Sequence, residues 1–280
     1  MFHFDSAIVR SPSRSVVAGL RADERQVPSY RRIVAEHRAY VVALEAAGLE
    51  VEVLPPLEAF PDSVFVEDPA LVFAEGAVLL RPGAASRTGE TAPLAPTLEK
   101  RFDRVIALRG GHVDGGDVLV APDRVYIGLS GRTDAPGARA LASILAKFGR
   151  AATIVATPPG TLHLKSAAAL VDEETILVTE TLAASGLFEG MRQLLAPRGE
   201  EQAANALRLN DVVLVGAAFP RTIDLLTQRG MSVVPLAVSE VGKLDAGLSC
   251  LSLRWTRGWK PRPIAARLFV GRSLPSAHRT

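Results

Sequence analysis

Short apolar runs come in pairs along this chain. Each pair is closed by a tight turn, and the pairs return about every 40 to 50 residues. Residues 70–74 and 77–80 meet across Glu75-Gly76, and 117–121 and 125–129 across Pro122-Asp123. Residues 166–171 and 175–179 turn through Asp172-Glu173-Glu174, and 205–209 and 212–215 through Asn210-Asp211. A helical stretch and one more apolar run follow each pair. Residues 94–102 lead to 105–108. A helix capped by Thr133 or Asp134, with Pro136 early and Gly149 at its end, leads to 152–156. A helix over 221–228 leads to 231–236. In the third unit a weaker helix is expected over 188–195, with no clear closing strand.

The fifth unit draws on both ends. Residues 248–255 would pair with 4–10, followed by an amphipathic helix over 28–47 carrying Ile33, Val34, His37, Tyr40, Val41 and Leu44 on one face. The run 49–53 then alternates apolar Leu49, Val51 and Val53 with Glu50 and Glu52. Five strand–strand–helix–strand units closed by both termini predict one ring-shaped α/β domain over 1–255, with a basic extension over 256–280. An all-β propeller has no helix in each blade. A doubly wound sheet fits less well, because tight turns join antiparallel strands. In a ring, loops from different units converge near the axis, which would bring Asp62, Asp114, His163 and Cys250 together.

Cys250 is the only cysteine among 280 residues, so the chain has neither an internal disulfide nor a multi-cysteine metal site. It is either a small buried hydrophobe or a reactive thiol. With His163 as base and Asp114 as the carboxylate that orients it, it has the groups that nucleophilic catalysis by sulfur requires. Taken singly, each has a plainer reading: a structural histidine, a turn at Asp114-Gly115-Gly116-Asp117, a packed thiol. Formal net charge is +2, with both signs mixed over most of the length, which gives no case for nucleic acid. No stretch approaches the roughly 18 apolar residues of a membrane span. A start without the build of an export signal, together with a single cysteine, predicts a cytoplasmic protein.

Six collinear motifs carry a family resemblance. They are Phe60-Pro61-Asp62-Ser63-Val64-Phe65-Val66-Glu67-Asp68, Arg81-Pro82-Gly83-Ala84, Asp114-Gly115-Gly116-Asp117-Val118-Leu119, Gly128-Leu129-Ser130-Gly131-Arg132-Thr133, His163-Leu164-Lys165-Ser166 and Asp245-Ala246-Gly247-Leu248-Ser249-Cys250. From about residue 4 to 255 the chain resembles the dimethylarginine dimethylaminohydrolases, members of the pentein group of guanidino-modifying enzymes. The resemblance implies a five-bladed α/β propeller of ββαβ units with pseudo-fivefold symmetry.

It also implies hydrolysis of Nω-methylated L-arginine to L-citrulline and a methylamine, through a covalent thiouronium and without metal or organic cofactor. Cys250 would be the nucleophile, His163 the general acid and base, and Asp114 its orienting carboxylate. Asp68, with Glu67 beside it, would hold the guanidinium. Arg87 and Arg132 would hold the substrate carboxylate. Asp62 and backbone carbonyls near Leu20 and Leu244 would hold its α-ammonium, with the segment around Leu20 acting as a mobile lid. The alternatives are a related pentein hydrolase acting on arginine, citrulline or another amidine, and a non-catalytic binder of arginine derivatives. The partner is thus a small molecule, and a homodimer is left open.

Overall fold

The computed structural model describes residues 2–257. In chain order the elements are β1 (Ser6–Arg10), α1 (Tyr30–Ala46), β2 (Glu50–Leu54), β3 (Ala70–Phe73), β4 (Gly76–Leu79), α2 (Thr91–Arg101) and β5 (Val105–Ala107). They continue as β6 (Val118–Val120), β7 (Val125–Leu129), α3 (Ala135–Lys147), β8 (Ala152–Ala156), β9 (Ala168–Leu170), β10 (Thr175–Val178), α4 (Glu180–Ala183) and β11 (Arg192–Leu195). The last are β12 (Leu207–Leu209), β13 (Val212–Gly216), α5 (Pro220–Thr227), β14 (Ser232–Leu236), α6 (Ser239–Gly242) and β15 (Leu253–Trp255).

These strands form five three-stranded sheets, ordered β15-β1-β2, β3-β4-β5, β6-β7-β8, β9-β10-β11 and β12-β13-β14. In every sheet the first pair is antiparallel and the second parallel. One helix, α1 to α5 in turn, crosses over between the two parallel strands. A tight turn and a crossover helix thus coexist in four of the five units, and in the fifth β1 and β15, from opposite ends of the chain, make the antiparallel pair, which does not fit a doubly wound sheet. Aromatic pairs tie neighbouring units together. Trp255 packs on Phe102 with centroids 5.2 Å apart, Phe73 on Phe148 at 6.1 Å and Tyr126 on Phe188 at 5.1 Å.

Local chemistry sets the elements. Asp134 caps α3 by accepting the Gly137 N–H at 2.7 Å, and Gly149 leaves the helix at φ +72°. The expected helix over 188–195 is not there. Thr179 caps the short α4 earlier, accepting the Leu182 N–H, and residues 192–195 are the closing strand β11. A short apolar run beside glycines has no period long enough to separate helix from strand. Residues 248–251 are likewise not strand but a 3-10 turn, and pairing with β1 begins only at Leu253. Val53 is 48% exposed, because β2 is an edge strand. Of the basic extension, only Thr256 and Arg257 are among the described residues; Arg257 binds Asp5 and Glu50.

The buried face of α1 carries Ile33, His37, Tyr40 and Leu44, as expected, together with Glu36. Glu36 accepts from Ser239 Oγ and from the N–H groups of Glu240 and Val241, anchoring α6. One nitrogen of His37 bonds to the Arg10 backbone, while buried Nε2 has no partner among the described residues. Burial pushes its pKa from 6.5 down to about 4. The unfolded chain therefore protonates first. The His37 contribution is intact above about pH 6.5 and is lost as pH falls toward 4, by up to about 3 kcal/mol. Urea midpoints at about pH 7 and about pH 5 should separate more in this protein than in a His37→Gln variant. Equal separation would remove His37 from the acid limb.

Candidate active site

Cys250 sits on the 3-10 turn Leu248–Leu251, which interrupts the approach to β15 and turns the side chain out of any ladder. Gly247 precedes the turn, and a Cβ there would run into the Asn205 side chain. The Cys250 carbonyl accepts the Glu67 N–H at 3.3 Å, joining this turn to the acidic segment before β3.

His163 leads the 3-10 turn before β9, and its Nε2 lies 3.0 Å from Asp114 Oδ2. Asp114 is fully buried, and its other oxygen accepts the Gly83 N–H at 2.7 Å. Gly115 and Gly116 follow because there is no room for more. A Cβ on Gly115 would meet the Glu67 carbonyl. On Gly116 it would lie 2.8 Å from His163 Cγ and Nδ1 and 3.1 Å from Asp68 Oδ1. Gly116→Ala should therefore tilt the imidazole. The expected result is a kcat lower by about 10²-fold with a melting temperature near the parent's. An unchanged kcat would mean that the ring has slack.

Asp68 joins the two halves of the site. Its Oδ1 accepts the Gly116 N–H at 2.9 Å, and Oδ2 is bonded to Arg87 Nη1. Burial alone would raise its pKa, but the charges of Arg87 and His163 outweigh that and lower it. Burial works against the charged imidazole of His163 too. The Asp114 hydrogen bond and the charges of Asp68, Asp117 and Asp114 prevail, so its pKa is raised. The Cys250 thiol is pushed up from 9.0 to about 11 by burial and then by the charges of Glu67 and Asp68, with a hydrogen bond from the Gly247 backbone and the charge of Lys165 opposing. Asp68 thus acts on both His163 and Cys250.

Glu67 is placed beside Asp68 as expected, but its charge is already matched. Lys165 Nζ lies 2.6 Å from it, Arg254 Nη2 3.4 Å, and Ser249 Oγ donates at 3.2 Å. Behind this cluster lies a cavity of about 660 Å³ lined by β3, β6, β9 and β12 and by residues 252–256. Glu67, Lys165, Ser249 and Arg254 line it; Asp114, His163 and Cys250 do not.

Arg87 departs from its expected orientation. It is buried and points inward, with Nε and Nη2 on Glu90, Nη1 on Asp68, and Nη2 also on the carbonyls of Asp62 and Phe65. Burial opposes its charge, yet Asp68 and Glu90 raise its pKa well above the ordinary value. Arg132 is half-buried, makes no side-chain bond among the described residues, and its charge reaches Asp62. Burial raises the Asp62 pKa against Arg87, the Leu20 N–H and Arg132. Leu20 donates to Asp62 Oδ1 at 3.0 Å, and a Cβ on Gly19 would lie 3.3 Å from Leu244 Cδ2, so Leu20, Asp62 and Leu244 are neighbours. The Leu20 segment is further tied by Ala22 N–H to Asp245 Oδ2 at 2.6 Å.

All ten residues singled out in the sequence therefore belong to one connected region. Asn205, Lys165, Glu90, Asp117 and Arg254 also belong to it and carried no signal of their own. Only the His163-x-Lys165 and Asp114-Gly-Gly-Asp117 spacings could have pointed to two of them. Asp68, Asp114 and His163 could offer a metal three ligand atoms within 4.8 Å of one another. Each of those carboxylate oxygens already accepts a bond from Gly83, Gly116, Arg87 or His163.

The profile of the arginine deiminase family matches residues 27–202. A dimethylarginine dimethylaminohydrolase of Pseudomonas aeruginosa is 37% identical over 256 residues, covering 90% of this chain and all of that protein. One of Streptomyces coelicolor is 36% identical, over 89% of this chain and 96% of its own length. A crystal structure of the Pseudomonas aeruginosa enzyme, a cysteine-to-serine variant with citrulline bound, superposes with a TM-score of 0.88 over 90% of this chain and 100% of that one. The N-terminal domain of a cyanobacterial arginine dihydrolase, 18% identical and covering 90% of this chain and 97% of its own, shares the fold with a TM-score of 0.80. With its sheet order, its buried acid–imidazole pair and these relatives in agreement, the chain belongs to the arginine deiminase family and, within it, to the dimethylarginine dimethylaminohydrolases.

Proposed function

We propose that this protein hydrolyses Nω-methylated L-arginine to L-citrulline and a methylamine. The observation that carries the reading is Asp68, a buried ionised carboxylate whose charge acts on both Cys250 and the His163–Asp114 pair. A planar cation held by that carboxylate is oriented as well as bound. With the cation bound, the Cys250 thiol gives up its proton to solvent and Sγ attacks the central carbon. His163, whose raised pKa keeps a proton available, gives that proton to the departing amine as the C–N bond breaks. A water attacks the resulting thiouronium, His163 takes its proton, and the C–S bond breaks to release citrulline. Citrulline bound to the Pseudomonas aeruginosa relative supports this product.

Asp62 and the backbone at Leu20 and Leu244 are assigned the α-ammonium, and Arg132, with an unengaged guanidinium, the carboxylate. Arg87 is assigned a different task from the one the resemblance implied, since its nitrogens are engaged: it keeps Asp68 ionised and in place. Glu67, with Lys165, braces the floor beneath the sulfur. Pairing of β1 with β15 supports a ring closed by one blade drawn from both ends of a domain spanning 1–255. A chain with one cysteine suits a cytoplasmic setting.

A second reading, hydrolysis of unmethylated arginine, has the arginine deiminase profile in its favour. Citrulline release from asymmetric dimethylarginine, monomethylarginine, arginine and agmatine separates the two. The expected result is kcat/KM for a methylated substrate at least about tenfold above that for arginine. The reverse order would overturn the assignment.

A further inference from the structure

The side chain of Asn205, at the end of the 3-10 turn Glu201–Ala204, brackets the nucleophile. Its Oδ1 accepts the Ser249 N–H at 3.1 Å, and its Nδ2 lies 3.9 Å from Cys250 Sγ. The amide cannot be the other way round. A backbone N–H only donates, so the atom facing Ser249 is the oxygen, and the NH₂ group is left on the sulfur. The fit is close on the far side too: a Cβ at Gly247 would lie 2.7 Å from both amide heteroatoms. The Asn205 main chain is itself held, its N–H donating to the Gln202 carbonyl at 3.1 Å.

We propose that Asn205 is a side-chain hydrogen-bond donor that orients and stabilises the Cys250 thiolate, with Oδ1 holding the turn and Nδ2 holding the sulfur. Ser249 Oγ, 4.0 Å from Sγ, and the Gly247 backbone lie beside it. The inference rests on Cys250 being the nucleophile. The reaction needs sulfur as an anion twice, at attack and at release of citrulline. The nearby charges of Glu67 and Asp68 disfavour it, yet a lysine or arginine beside Sγ would repel a guanidinium substrate. A neutral N–H donor stabilises the anion without adding charge to the pocket. Asn205 is thus a positioning residue for the nucleophile.

Cys250 is the only cysteine, so iodoacetamide alkylation of the whole chain reports on this sulfur alone. The experiment compares alkylation rates between about pH 7 and 10, and kcat and KM, in the parent, Asn205→Ala and Asn205→Asp. Loss of the donor should raise the thiol pKa by roughly one unit. Alkylation of Asn205→Ala at neutral pH should then fall about threefold, since a more basic thiolate is also more nucleophilic. Asn205→Asp keeps an acceptor for the Ser249 N–H but sets a carboxylate against the sulfur, so it should fall further. In Asn205→Ala, kcat should drop about tenfold with KM within about twofold.

The carboxylate of Asn205→Asp shifts the thiol through its charge whatever Asn205 does, so the Ala variant carries the test: a residue that merely holds the backbone would leave its alkylation curve on the parent's. An Ala curve superimposable on the parent's overturns the proposal, whatever happens to turnover. If the Ala variant fails to fold, Asn205→Leu, of similar size and without the amide, takes its place. A parent that alkylates normally but makes no citrulline would sink the assigned reaction, while the alkylation comparison still tests Asn205.

Discussion

Cys250→Ser should lower citrulline formation from asymmetric dimethylarginine by at least about 10⁴-fold, with folding unchanged. A hydroxyl is far less acidic than a thiol, and the acids near Sγ would hinder its ionisation further. Citrulline production within about tenfold of the parent would remove Cys250 from the mechanism. The charges around the sulfur bear on how the proposed nucleophile would be activated. With its pKa near 11, the free protein holds a thiol, not a thiolate, at neutral pH. The charges of Glu67 and Asp68 contribute to that shift, and a bound guanidinium would offset them. On the proposed mechanism, substrate binding would be the activating event. A cationic haloacetamidine should alkylate Cys250 faster than neutral iodoacetamide by at least about tenfold, each rate taken relative to free cysteine. Equal relative rates would place the activation in the free protein.

His163→Gly should cost about 10³-fold or more in turnover of dimethylarginine, because the amine cannot leave without a proton and water cannot attack without a base. The two half-reactions should respond differently to the leaving group. S-methyl-L-thiocitrulline expels a thiolate, which needs no proton. The variant should therefore still form a covalent adduct with it and then stall, so that intact-mass measurement shows the adduct persisting. A crystal structure of a histidine-to-glycine dimethylarginine dimethylaminohydrolase as an adduct with this compound shows that such a species persists in a relative. Rapid turnover of dimethylarginine by the variant would shift the proton transfers to another group. Asp117, whose charge acts on His163 and whose pKa is raised by burial, is one candidate.

Much of this is written locally in the chain. Tight turns such as Glu75-Gly76 and Pro122-Asp123 and the caps of α3 are short-range chemistry, and they announce four hairpins and the alternation of strands with helices. Where local patterns are ambiguous the reading slipped. Residues 192–195 have too few positions to show a period. Residues 248–251 are apolar like a strand, but are bent into a 3-10 turn by the packing of Gly247 on Asn205.

The sequence by itself determined the repeat, the helix crossovers, the lone thiol and the family motifs, because spacing and residue type are properties of neighbours along the chain. Only the tertiary structure decided that Arg87 turns inward onto Asp68 and Glu90, that Glu67 is matched by Lys165 and Arg254, and that the Asn205 amide faces the sulfur. Those pairings join residues from 3 to 187 positions apart. Buried charges must find partners wherever the fold brings them, and which partner each finds depends on the meeting of units that no single unit encodes.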